Sequence, residues 1–201
     1  MDRNPLKKKS VRDTSLRGYG IEFRPVKPFD LSSLRRWRNS PEISKQMTKS
    51  NYISPHQQRI WYESIKARID QAHWVVWYKE IRTGYANIKA EGPIDSKEKL
   101  KEVGFFVGDS PVRHGLLGYA IEMMLLDLAF EHLSASQIPG EIVKTNYSAR
   151  KIAQQLGYCE ISENENFVGV LLDPADYKTA KKKFVRYFRN ARCELFGKDN
   201  I

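Results

Sequence analysis

Apolar and polar positions switch between two periods along this chain, and the switches divide it into elements. Ile21 to Val26 alternates and stops before Pro28, which predicts a first strand. Asp30, as N-cap, opens a helix through Leu31, Leu34 and Trp37. Ser40-Pro41 then breaks it and starts another turn, with Ile43 and Met47 four apart on one face. A third helix is predicted over 55–68, where Ile60, Trp61, Ser64 and Ile65 fall in phase.

Strand-like runs follow at Trp74 to Tyr78, Tyr85 to Ala90 and Val103 to Val107. Arg82-Thr83-Gly84 reads as the hairpin turn between the first two, and the polar stretch from Gly92 to Lys99 as a longer loop before the third. An apolar helix runs from about Gly115. A strand at Ile138 to Val143 and a helix at Ala149 to Leu156 come next, and Tyr158 to Ile161 with Phe167 to Leu172 forms a closing pair. Helices packing on a sheet in this order predict an α/β three-layer domain over 20–172.

Beyond it, Asp173-Pro174 caps a predicted basic amphipathic helix over 173–201. Tyr177, Ala180, Phe184, Tyr187, Phe188, Ala191 and Leu195 recur at helical spacing, with Lys181, Lys182, Lys183, Arg186 and Arg189 between them. Its aromatic face is expected to dock on the domain or on a second copy in a homodimer, with anionic lipid or another partner as the alternative. At the other end, residues 1–19 carry Lys7, Lys8, Lys9, Arg12 and Arg17 without apolar periodicity and are expected to be a disordered basic tail.

Composition narrows the picture further. With 201 residues, 41% of them hydrophobic and 29% charged, the chain suits one well-buried core. No apolar run is long enough to span a bilayer and the first residues lack the stretch of a signal peptide, so a cytoplasmic protein is expected. The two cysteines, Cys159 and Cys193, have neither metal-ligand nor disulfide-framework spacing, and no metal site is predicted. A formal net charge of +10 attracts polyanions. Nucleic acid would need basic residues interleaved with aromatics on one face, which only the C-terminal segment approaches; it is set aside as a partner.

The stretch from Glu102 to Phe130 carries the first chemical signal: an apolar strand feeds a helix through a loop of Gly, Asp, Ser, Pro and His. Free backbone N–H groups and the positive end of the helix dipole make such a junction an anion site. Arg113 adds a charge there, while Gly115 and Gly118 permit close approach to the backbone. The same residues also suit an ordinary connection, with Ser110 as N-cap and Pro111 in the first turn.

Three segments together resemble the GNAT superfamily of N-acetyltransferases. Arg113 to Gly118 is similar to its pyrophosphate loop, R/Q-x-x-G-x-G/A, with Leu116 where glycine is usual. Asn146 to Tyr158 resembles the segment N-x-x-(S/A)-x-x-x-(Y/A)-x-x-L-G-(F/Y). Leu34 to Met47, then Ile53-Ser54 and Trp61, resembles the WRN opening of two branches, one acting on UDP-linked amino sugars and one on protein N-termini or polyamines. The similarity covers about residues 20–172 and implies a mixed, mostly antiparallel sheet.

The resemblance further implies acetyl-CoA as co-substrate, contacted by Phe105, Phe106, Val107, Arg113, His114, Gly115, Leu117, Gly118, Tyr119 and Asn146. Backbone N–H groups near Phe105 and Phe106 would polarise the thioester carbonyl. Arg36, Trp37, Arg38, Asn39, Met47 and Tyr52 become the acceptor-side candidates. Trp37 and Met47 also have core spacing, Arg38 and Asn39 also suit a helix end, and Asn146 also suits an N-cap.

An amine nucleophile must lose a proton, and the resemblance makes Glu102 the candidate base, at the start of the strand that carries acetyl-CoA in the family, where a carboxylate works through a water; a solvated strand-end carboxylate is the plain alternative, and His73 and Glu122 are weaker candidates. Where many family members place the tyrosine acid, this chain has Ala153, and no spacing selects among Tyr119, Tyr147 and Ser148. The leading acceptor is the amino group of a UDP-linked amino sugar in surface-glycan or flagellin-glycan biosynthesis. A protein N-terminus or polyamine is the rival within the class, and a non-catalytic binding module on the same scaffold is the alternative outside it.

Overall fold

The computed structural model describes residues 10–96, 99–108, 115–188 and 190–196. A six-stranded antiparallel sheet runs in the order β5-β4-β3-β2-β1-β9, and a three-stranded antiparallel sheet in the order β6-β8-β7. The strands are β1 (Ser15–Gly18), β2 (Ile21–Pro25), β3 (Gln71–Tyr78), β4 (Ile81–Ala90), β5 (Leu100–Val107), β6 (Ile138–Val143), β7 (Cys159–Glu163), β8 (Phe167–Leu172) and β9 (Glu194–Phe196). The helices are α1 (Leu31–Asn39), α2 (Pro41–Ser44), α3 (Pro55–Ala67), α4 (Leu117–Asp127), α5 (Tyr147–Leu156) and α6 (Pro174–Phe184).

Strand alternation divides the core between the two faces of the large sheet. Trp74, Val76, Ala86 and Ile88 lie with α4 and α6 on one face, while Val75, Trp77, Tyr85 and Phe106 lie on the other with Leu34 and Trp37 of α1 and Trp61 of α3. The architecture is therefore helix, sheet, helix. Helix α4 is apolar except for the buried carboxylates Glu122 and Asp127, as its burial on nearly every side requires, and runs into a π-helical turn over Leu128–His132.

Several predicted boundaries move. The β3–β4 turn lies at Lys79-Glu80, whose φ angles of 47° and 60° suit a two-residue hairpin, so Arg82 to Gly84 continue β4. Gly84 is required there by crowding: a Cβ would lie 2.4 Å from the Phe106 carbonyl oxygen. Asp30 precedes α1 but does not cap it. Its buried carboxylate accepts from the Lys27 N–H (2.9 Å) and from Arg82 Nε (2.8 Å), tying the helix start to β4.

Both ends of the chain depart from expectation. Within the predicted tail, residues 1–9 lie outside the described residues, but Val11 is buried and Ser15–Gly18 forms β1, between β2 and β9. The C-terminal helix stops at Phe184, and Glu194–Phe196 returns as a strand, so the helix does not run through to residue 201. Tyr177 and Ala180 of α6 are buried, with Phe184 packed against the same core. Lys181, rather than facing solvent, turns inward to Asp127 (2.6 Å), which also accepts from Tyr19 (2.5 Å) and Tyr177 (2.7 Å). Three- and four-residue strands are too short to show a period, which is why the sequence pattern misses them.

Candidate active site

The register of β3, β4 and β5 assembles polar groups on the face roofed by α1 and α3. Asn87 stands opposite both His73 and Gly104, Lys89 opposite Glu102, and Tyr85 opposite Phe106. Alternate residues share a face, so His73, Tyr85, Asn87, Lys89 and Glu102 project together into an otherwise apolar layer. Trp61 closes this row, its ring 5.6 Å from His73 and 6.2 Å from Tyr85 between centroids.

Glu102 accepts from Asn87 Nδ2 at 2.8 Å and from Lys89 Nζ at 2.6 Å. Burial pushes its carboxyl up, but those two hydrogen bonds and the Lys89 charge outweigh it and hold the group below the usual carboxylate value. It is ionised at neutral pH and remains partly open to solvent. Gly104 leaves the room this needs, since a Cβ there would lie 3.1 Å from Asn87 Oδ1 and 3.4 Å from Glu102 Oε1.

His73 is 7% exposed, and its Nδ1 lies 2.5 Å from the Tyr85 hydroxyl. Burial, aided by the Lys89 charge, pushes the imidazole down to about 4, so it is neutral at pH 7. Burial likewise raises the Tyr85 phenol. His73 Nε2 is buried and has no partner.

The acceptor-side candidates part company. Trp37 and Met47 pack into the apolar layer, and the Trp37 ring covers Gly108, where a Cβ would lie 2.4 Å from it. Asn39 holds the Ile53 backbone through two 2.8 Å hydrogen bonds, which anchors the segment leading to α3. Arg36 and Tyr52 line an open hollow on the solvent side of α1, together with Arg35, Asn39 and Ser40. Arg38 donates from Nη2 to the Lys49 carbonyl at 2.7 Å and feels the Tyr85 phenol, while burial lowers its own pKa.

On the opposite face, Phe105 and Val107 point toward α4, whereas Phe106 belongs to the α1–α3 side. Leu117 is fully buried at the start of α4, and Gly118 abuts α5: a Cβ there would lie 2.8 Å from Ile152 Cδ1. At Gly115 a Cβ would meet nothing within 4 Å. Arg113 and His114 lie outside the described residues, as does Ser110 with Pro111. Tyr119 bonds Gln155 and stacks on Phe184, and the Asn146 side chain accepts from the Ala149 N–H (3.0 Å) as the N-cap of α5.

Glu122, buried in α4, accepts from the Tyr158 hydroxyl at 2.7 Å, and burial pushes its carboxyl up to about 7. Ala153 is buried, while Tyr147 and Ser148 are exposed. Tyr85, Asn87 and Lys89 escaped the sequence reading, as did the Tyr158–Glu122 pair. The first three had a usable signal: polar residues at every second position of a strand opposite Glu102.

Strands β5 and β6 touch, yet no ladder joins them, because β5 ends the large sheet and β6 ends the small one. Amide groups on the facing edges are not consumed by sheet pairing there, which fits an amide-bearing chain such as the pantetheine arm. Among the described residues no cluster of His, Cys, Asp or Glu is arranged to hold a metal. No described helix is long and apolar enough to cross a membrane.

A family profile described as an acetyltransferase (GNAT) domain matches residues 21–158. The chain belongs to the GNAT acetyltransferases and is an acetyl-CoA-dependent N-acetyltransferase. Among solved structures it is similar to apo FdhC, a nucleotide-linked sugar GNAT (TM-score 0.69, 16% identity, 87% of this chain and 98% of that one). It is also similar to RimJ of Mycobacterium smegmatis in complex with CoA-disulfide (TM-score 0.65, 19% identity, 92% and 97%). A third is the spermidine N-acetyltransferase of Vibrio cholerae in complex with CoA and spermine (TM-score 0.68, 15% identity, 79% and 98%). No curated protein sequence matches the chain.

Proposed function

We propose that the acetyl group passes to a primary amine held on the α1–α3 face, that Glu102 receives the amine's proton, and that the acceptor is a nucleotide-linked amino sugar. The supporting observation is the Glu102 carboxylate fixed between Asn87 and Lys89. A primary amine is protonated at neutral pH and cannot attack a thioester until a proton leaves. An ionised, solvent-reaching carboxylate whose two oxygens are already oriented can draw that proton off through a water. Lys89 keeps Glu102 charged, and Asn87 keeps it from swinging into solvent.

A donor for the developing oxyanion comes from the β5 backbone: of the adjacent Phe105 and Phe106 N–H groups, one turns to β4 and the other to the edge left unladdered toward β6. Ala153 supplies no acid for the departing thiolate. A thiol pKa only slightly above neutrality makes that group a tolerable leaving group without one. A protein N-terminus is the second reading, favoured by Ala153 standing where the sugar-amine branch has tyrosine. Steady-state rates with a UDP-linked amino sugar and with N-terminal peptides test the assignment. The sugar is expected to have the higher kcat/KM, and a peptide exceeding it would replace the sugar as acceptor.

A further inference from the structure

Arg38, in the last turn of α1, is a half-buried cation with one arm left unused. Its Nη2 donates to the Lys49 carbonyl at 2.7 Å, while Nη1 is buried without a partner. Leaving a charged donor unsatisfied away from water is costly, and no described carboxylate lies against it: the Tyr85 phenol is its one ionisable neighbour. Tyr85 in turn touches His73, whose Nε2 is also buried and unpartnered, and His73 feels the charges of Lys89 and Glu102. Tyr85, His73, Asn87 and Glu102 therefore form one row across the face on which the amine is to be held, and Arg38 adds a positive charge that the Tyr85 phenol feels.

We infer that Arg38 Nη1 binds an oxygen of the acceptor, within one sugar ring or one amino-acyl unit of the amine that is acetylated. The substrate class is then amines carrying a nearby hydroxyl, carbonyl or anionic oxygen, and linear polyamines are excluded. The charges agree: Lys89 already pairs with the Glu102 carboxylate, which leaves the Arg38 charge without a described carboxylate, and His73 and Tyr85 are neutral. A polyamine would add positive charge to this row, whereas an acceptor oxygen would satisfy the free arm. The inference rests on the amine-acceptor reading above and narrows it.

The test compares wild type with Arg38→Met, which keeps the length of the stem, and Arg38→Lys, which keeps the charge. Acceptors are a UDP-linked amino sugar, an alanine-started peptide, spermidine and butylamine; acetyl-CoA affinity and melting temperature are followed alongside. Arg38→Met is expected to raise KM for the sugar or the peptide roughly 10- to 100-fold, leaving kcat, donor affinity and butylamine kinetics nearly unchanged. Whichever of the two responds identifies the source of the oxygen, and Arg38→Lys recovers part of the loss. Spermidine as the best wild-type acceptor, or an equal KM rise for butylamine, overturns the proposal. If wild type turns over no amine, calorimetric binding of the sugar and peptide to the acetyl-CoA complex replaces KM: weaker binding in Arg38→Met supports the oxygen contact, and unchanged binding overturns it. Failure of turnover and failure of the Arg38 contact are thus read separately.

Discussion

His73 and Glu122 are both buried, and burial moves their pKa values in opposite directions. For His73 the unfolded chain takes up a proton near pH 6.5 that the folded chain refuses until about 4. Its contribution is complete above the unfolded value and disappears as pH falls through that window, by about 3 kcal/mol in all. For Glu122 the folded pKa is the higher one, near 7, so stability declines as pH rises from the unfolded value through neutrality. Denaturant unfolding should therefore find His73→Gln less sensitive than wild type to acidification from about pH 6.5 to 4. Glu122→Gln, which still accepts from Tyr158, should gain about 3 kcal/mol over wild type near pH 8. Parallel pH profiles for wild type and either variant would contradict the corresponding assignment.

At the scale of elements, the sequence period located β2, α1, α3, β6, α5 and β8 within a few residues, because each buries one face and so displays it. It failed where a residue is chosen by its neighbours across the fold. Gly84 looks like a turn glycine and is a strand residue pressed against β5; Asp30 looks like a cap and serves Arg82. Glu102 became a candidate through the family resemblance, whereas its partners Lys89 and Asn87 depend on register, which periodicity alone does not fix. The WRN segment named its residues only as a group, and the structure separates them: one helix sends Trp37 inward, Arg36 outward and Arg38 to the Lys49 carbonyl. Gly108 carries a consequence for packing. A Cβ there has no room beneath Trp37, so Gly108→Ala should destabilise the domain by about 1–3 kcal/mol in urea unfolding, and an unchanged midpoint would show that Trp37 yields freely.

For the molecule as a whole, the first and last described segments meet over the core. Strand β1 pairs with β9, and Asp127, at the end of the central helix, gathers Tyr19 from the first hairpin with Tyr177 and Lys181 from α6. Asp127 is fully buried, so removing the Lys181 ammonium strips an interior carboxylate of its cation. Lys181→Met should lower stability by about 3 kcal/mol without changing the affinity for acetyl-CoA. Wild-type stability in that variant would mean that the two tyrosines suffice to hold the carboxylate.

The large sheet places Glu102 on the α1–α3 face of β5, while α4 and α5 stand on the other, so in the proposed function donor binding and proton removal would draw on different residues. Glu102→Gln tests that division most directly, because glutamine fills the same space beside Asn87 and cannot take a proton. With acetyl-CoA affinity measured by calorimetry and turnover on the best acceptor, the account predicts unchanged donor affinity and a kcat reduced roughly 100- to 1,000-fold. A Glu102→Gln protein that binds acetyl-CoA and turns over at the wild-type rate would contradict it.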